Sequence, residues 1–149
     1  TVVAPQPDGT LDMGRMLEAV DKNTILVACM MVNNEVGTRN DVERLAAEVK
    51  RRNSRTIVHV DAVQAVGKEA INLRELPIDY LALSGHKLHA PKGIGVLYVR
   101  RGTRFRPFLR GGHQERGRRA GTENVPYIVG LGKACELAGR FMQEERVRV

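Results

Sequence analysis

Three short blocks of this chain gather side chains that could do chemistry together: Asn33-Asn34, Asp61 with Gln64, and Ser84-Gly85-His86-Lys87. Lys87 follows a small, flexible stretch. An amine held against a low-dielectric wall loses basicity, because desolvation disfavours its charged form. The neutral amine can then form a Schiff base with an aldehyde. Asp61 closes an apolar run and can keep a ring nitrogen protonated, which turns the ring into an electron sink. A lysine for an aldehyde and an acid for a pyridine nitrogen are the pair that pyridoxal phosphate (PLP) chemistry requires. Gln64 stands three residues beyond Asp61, so on a helical turn both could face one ligand. Ser84 and His86 bracket Gly85 and offer two donors to a phosphate.

Each residue also has a plainer reading. Lys87 can be a solvated surface charge, Asp61 a cap for the turn after it, Gln64 an exposed amide and His86 a packed or capping histidine. A metal site has less support. His86 and His89 are three apart, His59 and His113 are distant, and no cysteine pair or acid completes a ligand spacing. No nucleophile-elbow or Walker-type loop is present.

The elements that must position these groups alternate between helix and strand. Residues 12–20 read as a short helix with Met13, Met16, Leu17 and Val20 on one face. Residues 24–32 form a continuous β-prone run, as expected of a strand covered on both faces. Asn40 or Asp41 can cap a second helix with the stripe Val42, Leu45, Ala46 and Val49. Residues 55–60 predict a strand ending at Asp61, and 62–66 a short helical turn. Further strands are expected over 78–83 and 94–99. Pro126 suits the first turn of a closing helix with the stripe Ile128, Leu131, Cys135, Ala138 and Met142. The fold class is therefore α/β, with at least some parallel pairing. In such sheets ligands sit beyond the carboxyl ends of the strands, which is where the three polar blocks fall.

Composition narrows the function classes. The chain has 149 residues, 42% apolar and 28% charged, which excludes collagen-like, low-complexity and wholly disordered sequences. The longest apolar run, residues 25–32, is far short of the ~20 needed to span a bilayer, and no signal peptide is visible. The two cysteines, Cys29 and Cys135, read as buried thiols, so a reducing compartment (cytoplasm or organelle matrix) is expected. The net charge of +7 resides in residues 100–119, which hold eight arginines and one acid, Glu115. The rest of the chain is neutral. A basic arm of this kind favours an anion or an oligomer contact over a general nucleic-acid surface, for which Phe105 and Phe108 are the only nearby stacking aromatics.

The blocks Met31-Val32-Asn33-Asn34-Glu35-Val36-Gly37-Thr38, His59-Val60-Asp61-Ala62-Val63-Gln64-Ala65-Val66-Gly67-Lys68, Ser84-Gly85-His86-Lys87 with Pro91-Lys92-Gly93-Ile94-Gly95, and Gln114-Glu115-Arg116-Gly117-Arg118-Arg119-Ala120-Gly121-Thr122-Glu123-Asn124-Val125 occur in an order and spacing that strongly resemble the cysteine desulfurases, the NifS/IscS-like group of class V aminotransferases. The resemblance covers nearly the whole chain. It implies part of the large domain of a fold type I PLP-dependent transferase, a mostly parallel sheet with flanking helices. Residues 1–149 are expected to be one segment, the second half of that domain. The earlier part, with its phosphate loop and ring-stacking histidine, and the later small domain have no counterpart here. The start at Thr1 agrees with a processed chain or a piece of a longer one.

The same resemblance implies residue roles. Lys87 is expected to be the catalytic Schiff-base lysine and proton carrier. Asp61 would partner the pyridine nitrogen, Gln64 the phenolic oxygen, with Asn34 close to that oxygen and the substrate. Ser84 and His86 would bind the phosphate. Thr122 would reach the phosphate of a neighbouring subunit, sharing the site across a homodimer. The expected activity is conversion of L-cysteine to alanine, with sulfur passed to an enzyme cysteine as persulfide and on to an acceptor protein for iron–sulfur cluster or thio-cofactor assembly. The segment alone is expected to have no turnover. Ala90 stands where many members carry glycine. The alternatives are a selenocysteine lyase or another class V lyase or aminotransferase, and, from another class, a non-catalytic protein using the 100–119 arm on nucleic acid.

Overall fold

Two aspartates start the first helices in the same way. Asp12 accepts a hydrogen bond from the Arg15 N–H and Asp41 from the Arg44 N–H, each at 3.0 Å. Each satisfies one of the orphan donors of a first helical turn. In the computed structural model, which describes residues 1–148, they open α1 (Met13–Glu18) and α2 (Val42–Arg52). Asn40 acts differently. Its side chain donates to the Met30 carbonyl and accepts from the Leu11 N–H.

Four strands form one sheet in the order of the sequence: β1 (Leu26–Met30), β2 (Ile57–Asp61), β3 (Tyr80–Ser84) and β4 (Gly95–Val99). The first three run parallel, and β4 returns antiparallel to β3. A 3-10 turn, Gly85–Leu88, follows β3 directly. Two more helical elements complete the chain, the single turn α3 (Gln114–Gly117) and the long α4 (Val125–Arg148). No helix among the described residues is long and apolar enough to cross a membrane.

The core lies between α2 and one face of the sheet. Val42, Leu45, Ala46 and Val49 are all buried, as the stripe predicts, and they pack in one cluster with Val27, Val58, Val60, Ile78 and Leu81. Strand alternation sends Val58 and Val60 to this face and Ile57, His59 and Asp61 to the other. Complete burial of a side chain such as Leu45 contributes about 2–3 kcal/mol. A second cluster joins Leu88 and Ala90, after β3, to Leu131 and Ala134 of α4. It anchors the segment that carries Lys87.

The ends of β2 and β3 away from the strand exits are fastened by a charged group. Asp79 is buried; its Oδ2 accepts from Lys50 Nζ at 2.6 Å and from the Val58 N–H at 2.7 Å. Lys50 also donates to the Thr56 carbonyl at 2.8 Å. A buried carboxylate is tolerable because each of these donors replaces water.

Three expectations change. β1 is covered on one face, not two: Ile25 is 82% and Leu26 52% exposed. An unbroken apolar run cannot tell one covered face from two. The apolar line of α4 is Leu131, Ala134 and Ala138, which meet the Leu88 segment, so Cys135 is exposed instead of buried and Ile128 is 42% exposed. Leu131 and Ala138 of the expected stripe do pack here, and Ala134 takes the place expected of Cys135. Arg100 leaves the basic arm and turns inward, donating to the carbonyls of Ile78 (2.6 Å), Leu73 (2.9 Å) and Leu76. It caps the loop before β3.

Candidate functional site

Register brings the polar blocks to one sheet edge. Asp61, the last residue of β2, pairs with Met30 of β1 on one side and Ala82 of β3 on the other. Ser84 ends β3 two residues further on, opposite Gly95. Cross-strand partners point to the same face, so Met30, Asp61, Ala82 and Ser84 share the face away from α2. Asn33 and Asn34 follow β1 at this same edge.

The loop after β1 is shaped by Asn33, whose side-chain oxygen accepts from the N–H groups of Glu35 (2.9 Å) and Val36 (3.0 Å). This turn occupies Asn33 and leaves Asn34 exposed, where its amide donates to the Glu35 carboxylate at 3.0 Å.

Asp61 uses Oδ1 to accept from the Val63 N–H at 2.9 Å, which is the capping role that position alone suggested. Its Oδ2 has no hydrogen-bond partner among the described residues, which leaves that oxygen open to a ligand. The turn over 62–66 forms as expected, with the Ala65 and Val66 N–H groups donating to the Ala62 carbonyl. Gln64, half-buried, lies on it.

The turn after β3 depends on Gly85. A Cβ there would meet Ile94 Cγ2 at 2.7 Å, the Ile94 carbonyl at 3.1 Å and Ala90 Cβ at 3.2 Å. The absent side chain lets the backbone double back at once, and the Gly85 N–H donates to the Ile94 carbonyl. Ser84 Oγ and His86 Nδ1 come to 2.7 Å as a result. A hydroxyl and an imidazole that hydrogen-bond each other retain a donor for a third group: Nε2–H if serine donates, the serine O–H if histidine does. Lys87 is exposed on the same turn. The low-dielectric wall expected around it is not supplied by the described residues.

These groups fit PLP. They include a carboxylate with a free oxygen, a turn tightened to backbone contact, a hydroxyl–imidazole pair with a spare donor, and a primary amine one residue further on. Thr122 is exposed at the far end of the basic arm. None of the eight arginines of residues 100–119 pairs with an acid among the described residues, although five ion pairs form elsewhere.

The thiols differ. Burial pushes the Cys29 thiol up to about 11, so it is protonated and inert near neutrality. Cys135 is exposed on α4. Among the described residues no group of three or more His, Cys, Asp and Glu is gathered as a metal would need.

Sequence reasoning did not single out Asp79, Lys50 or the inward turn of Arg100. Lys50 and Asp79 lie 29 positions apart, and no local pattern marks such a pair.

A mostly parallel α/β layer whose strand exits gather a carboxylate, a hydroxyl, an imidazole and a lysine is the architecture of the large domain of fold type I PLP-dependent enzymes. The chain matches the aminotransferase class-V family over residues 1–147 and belongs to it. It is 58% identical over 137 residues to a cysteine desulfurase of Nostoc sp., covering 92% of this chain and 34% of that protein. It is 52% identical over 141 residues to the cysteine desulfurase NifS of Azotobacter vinelandii, covering 95% and 35%. Among solved structures a NifS-like protein superposes with a TM-score of 0.93 at 45% identity, over 97% of this chain and 40% of the other. A structure of SspA in complex with cysteine gives 0.86 at 40% identity, over 91% and 39%. The chain thus spans about a third of the length of the curated relatives it matches.

Proposed function

We propose that this chain is the second half of the PLP-binding large domain of a cysteine desulfurase. The observation that carries the reading is the meeting of Asp61, the Ser84–His86 pair and Lys87 at one sheet edge. The likeness to desulfurases supports the substrate, L-cysteine.

When bound, PLP supplies an electron sink for the carbanion left after α-proton loss. The chain's residues do the rest. Asp61 would hold the pyridine nitrogen through Oδ2, the oxygen not used by the turn, and would favour its protonated form. Gln64 would donate to the phenolic oxygen, with Asn34 beside it. Ser84 and His86 would hold the phosphate through their spare donor. Lys87 Nζ would hold the cofactor through its aldehyde and, as a primary amine near the substrate, would carry the α-proton. Neither Cys29 nor Cys135 accepts the sulfur: one is half-buried in the core edge with a raised pKa, and the other stands on a long helix. That role belongs to a cysteine outside this chain. Thr122 contacts the phosphate held by a second copy in a homodimer, and an acceptor protein takes the persulfide sulfur.

Borohydride reduction of the PLP-loaded full-length protein tests the reading. A pyridoxyl adduct is expected on the Lys87 peptide. An unmodified Lys87 in cofactor-saturated protein would overturn it, and so would persulfide on Cys29 or Cys135 during turnover.

A further inference from the structure

The arm between Leu109 and Thr122 is a closed loop. The Ala120 N–H donates to the Leu109 carbonyl at its base. Within it, Glu115 (φ 50°), Arg116 (φ 59°) and Gly117 (φ 74°) follow one another in the left-handed region. For the two residues with side chains this costs about 1–2 kcal/mol each, so other contacts must hold the turn. The Gly117 N–H donates to the His113 carbonyl at 2.9 Å. The longer-range contact is Gln114. Its Oε1 accepts from the Gly121 N–H at 3.2 Å, and its amide lies over Gly112, where a Cβ would come within 2.4 Å of Oε1. The Gln114 side chain thus lies against Gly112 on the incoming limb and accepts from Gly121 on the outgoing one. The next residue is Thr122, and Gly121 itself sits at φ 107°, where a tether on its N–H sets the direction in which the chain leaves.

We propose that Gln114 is a positioning residue for Thr122: its acceptor oxygen fixes the loop exit so that the Thr122 hydroxyl is pre-aimed at a phosphate. This rests on the reading of Thr122 as a phosphate ligand to a neighbouring copy. Pre-aiming matters because a hydroxyl on a free arm must lose conformational freedom on binding. The residue acts on the phosphate alone and leaves the ring contacts of Asp61 and Gln64 untouched.

The experiment compares apo full-length protein binding PLP with the same protein binding pyridoxal, which lacks the phosphate, followed by cofactor absorbance. Thr122→Val reports on the reading itself. Gln114→Leu removes the acceptor, Gln114→Asn shortens it and Gln114→Glu keeps an oxygen at the same reach. Gln114→Leu and Gln114→Asn are expected to weaken PLP binding about tenfold, the scale of one hydrogen bond to a charged group, with pyridoxal binding unchanged and Gln114→Glu close to wild type. If Thr122→Val loses this preference and the Gln114 variants keep it, the positioning role is wrong and the reading of Thr122 stands. If Thr122→Val binds both ligands as wild type does, the reading fails and the inference with it. If the Gln114 variants weaken both ligands equally, or lower the melting temperature of the apo-protein enough to prevent binding, the residue merely supports the fold and the proposal is overturned.

Discussion

Ser84 Oγ and His86 Nδ1 stand 2.7 Å apart across a glycine. The contact exists because the chain turns immediately after β3, and it converts two separate polar residues into a pair with one donor to spare. Replacing Ser84 by Ala breaks the pair and removes one candidate phosphate ligand. We expect PLP affinity to fall about tenfold while pyridoxal affinity is unchanged. Equal losses for both ligands would assign the pair to the fold alone.

Gly85 makes that turn possible. Gly85→Ala places a methyl 2.7 Å from Ile94 Cγ2 and 3.1 Å from the Ile94 carbonyl. The side-chain clash can be relieved and the backbone contact cannot. The substitution should cost about 2 kcal/mol by urea unfolding. Adding Ile94→Ala should not restore wild-type stability, since it opens a cavity and leaves the carbonyl in place. Full recovery in the double variant would show that the side chain alone sets the constraint.

Asp79 and Lys50 predict an unequal pair of variants. Asp79→Ala removes the acceptor of the Val58 N–H and leaves the Lys50 ammonium with the Thr56 carbonyl and no counter-charge, and should cost roughly 3 kcal/mol. Lys50→Met leaves Asp79 with the Val58 N–H and keeps the aliphatic stem, so a smaller loss is expected. Denaturant midpoints in the reverse order would show that the lysine is the more important partner.

Cys29 gives the stability a dependence on alkaline pH. Its folded thiol is pushed up to about 11 from an ordinary 9.0 by burial. Above about pH 9 the unfolded chain therefore loses this proton first, and the stability it represents, full below that pH, falls as pH rises toward 11. The loss should reach at most roughly 2–3 kcal/mol. Cys29→Ala should flatten this part of the profile. A Cys29→Ala profile parallel to wild type between pH 9 and 11 would place the titration elsewhere.

His89, just after the 3-10 turn, is left-handed at φ 61° and exposed. His89→Gly removes the Cβ penalty and loosens the unfolded chain, with a net gain expected near 0.5 kcal/mol. A marked loss in thermal unfolding would mean that the imidazole makes a contact that matters more than the strain.

Much of this protein is written locally. Asp12 and Asp41 cap their helices, the Val42–Leu45–Ala46–Val49 stripe is buried, and strands end at Asp61 and Ser84. Such features depend on residues a few positions apart, whose periodicity and capping chemistry are legible in one dimension. The candidate site was legible for the same reason, since strand exits in an α/β layer fall at a common edge. What only the tertiary structure decided involves distant partners. Asp61 divides its two oxygens between a turn and an open face. Arg100 leaves the arm for three backbone carbonyls, and Lys50 finds Asp79 across 29 positions. The same holds for Cys135, exposed because α4 meets the Leu88 segment through Leu131 and Ala134. A helical pattern carries the spacing of apolar residues, but which face is buried depends on the surface that packs against it.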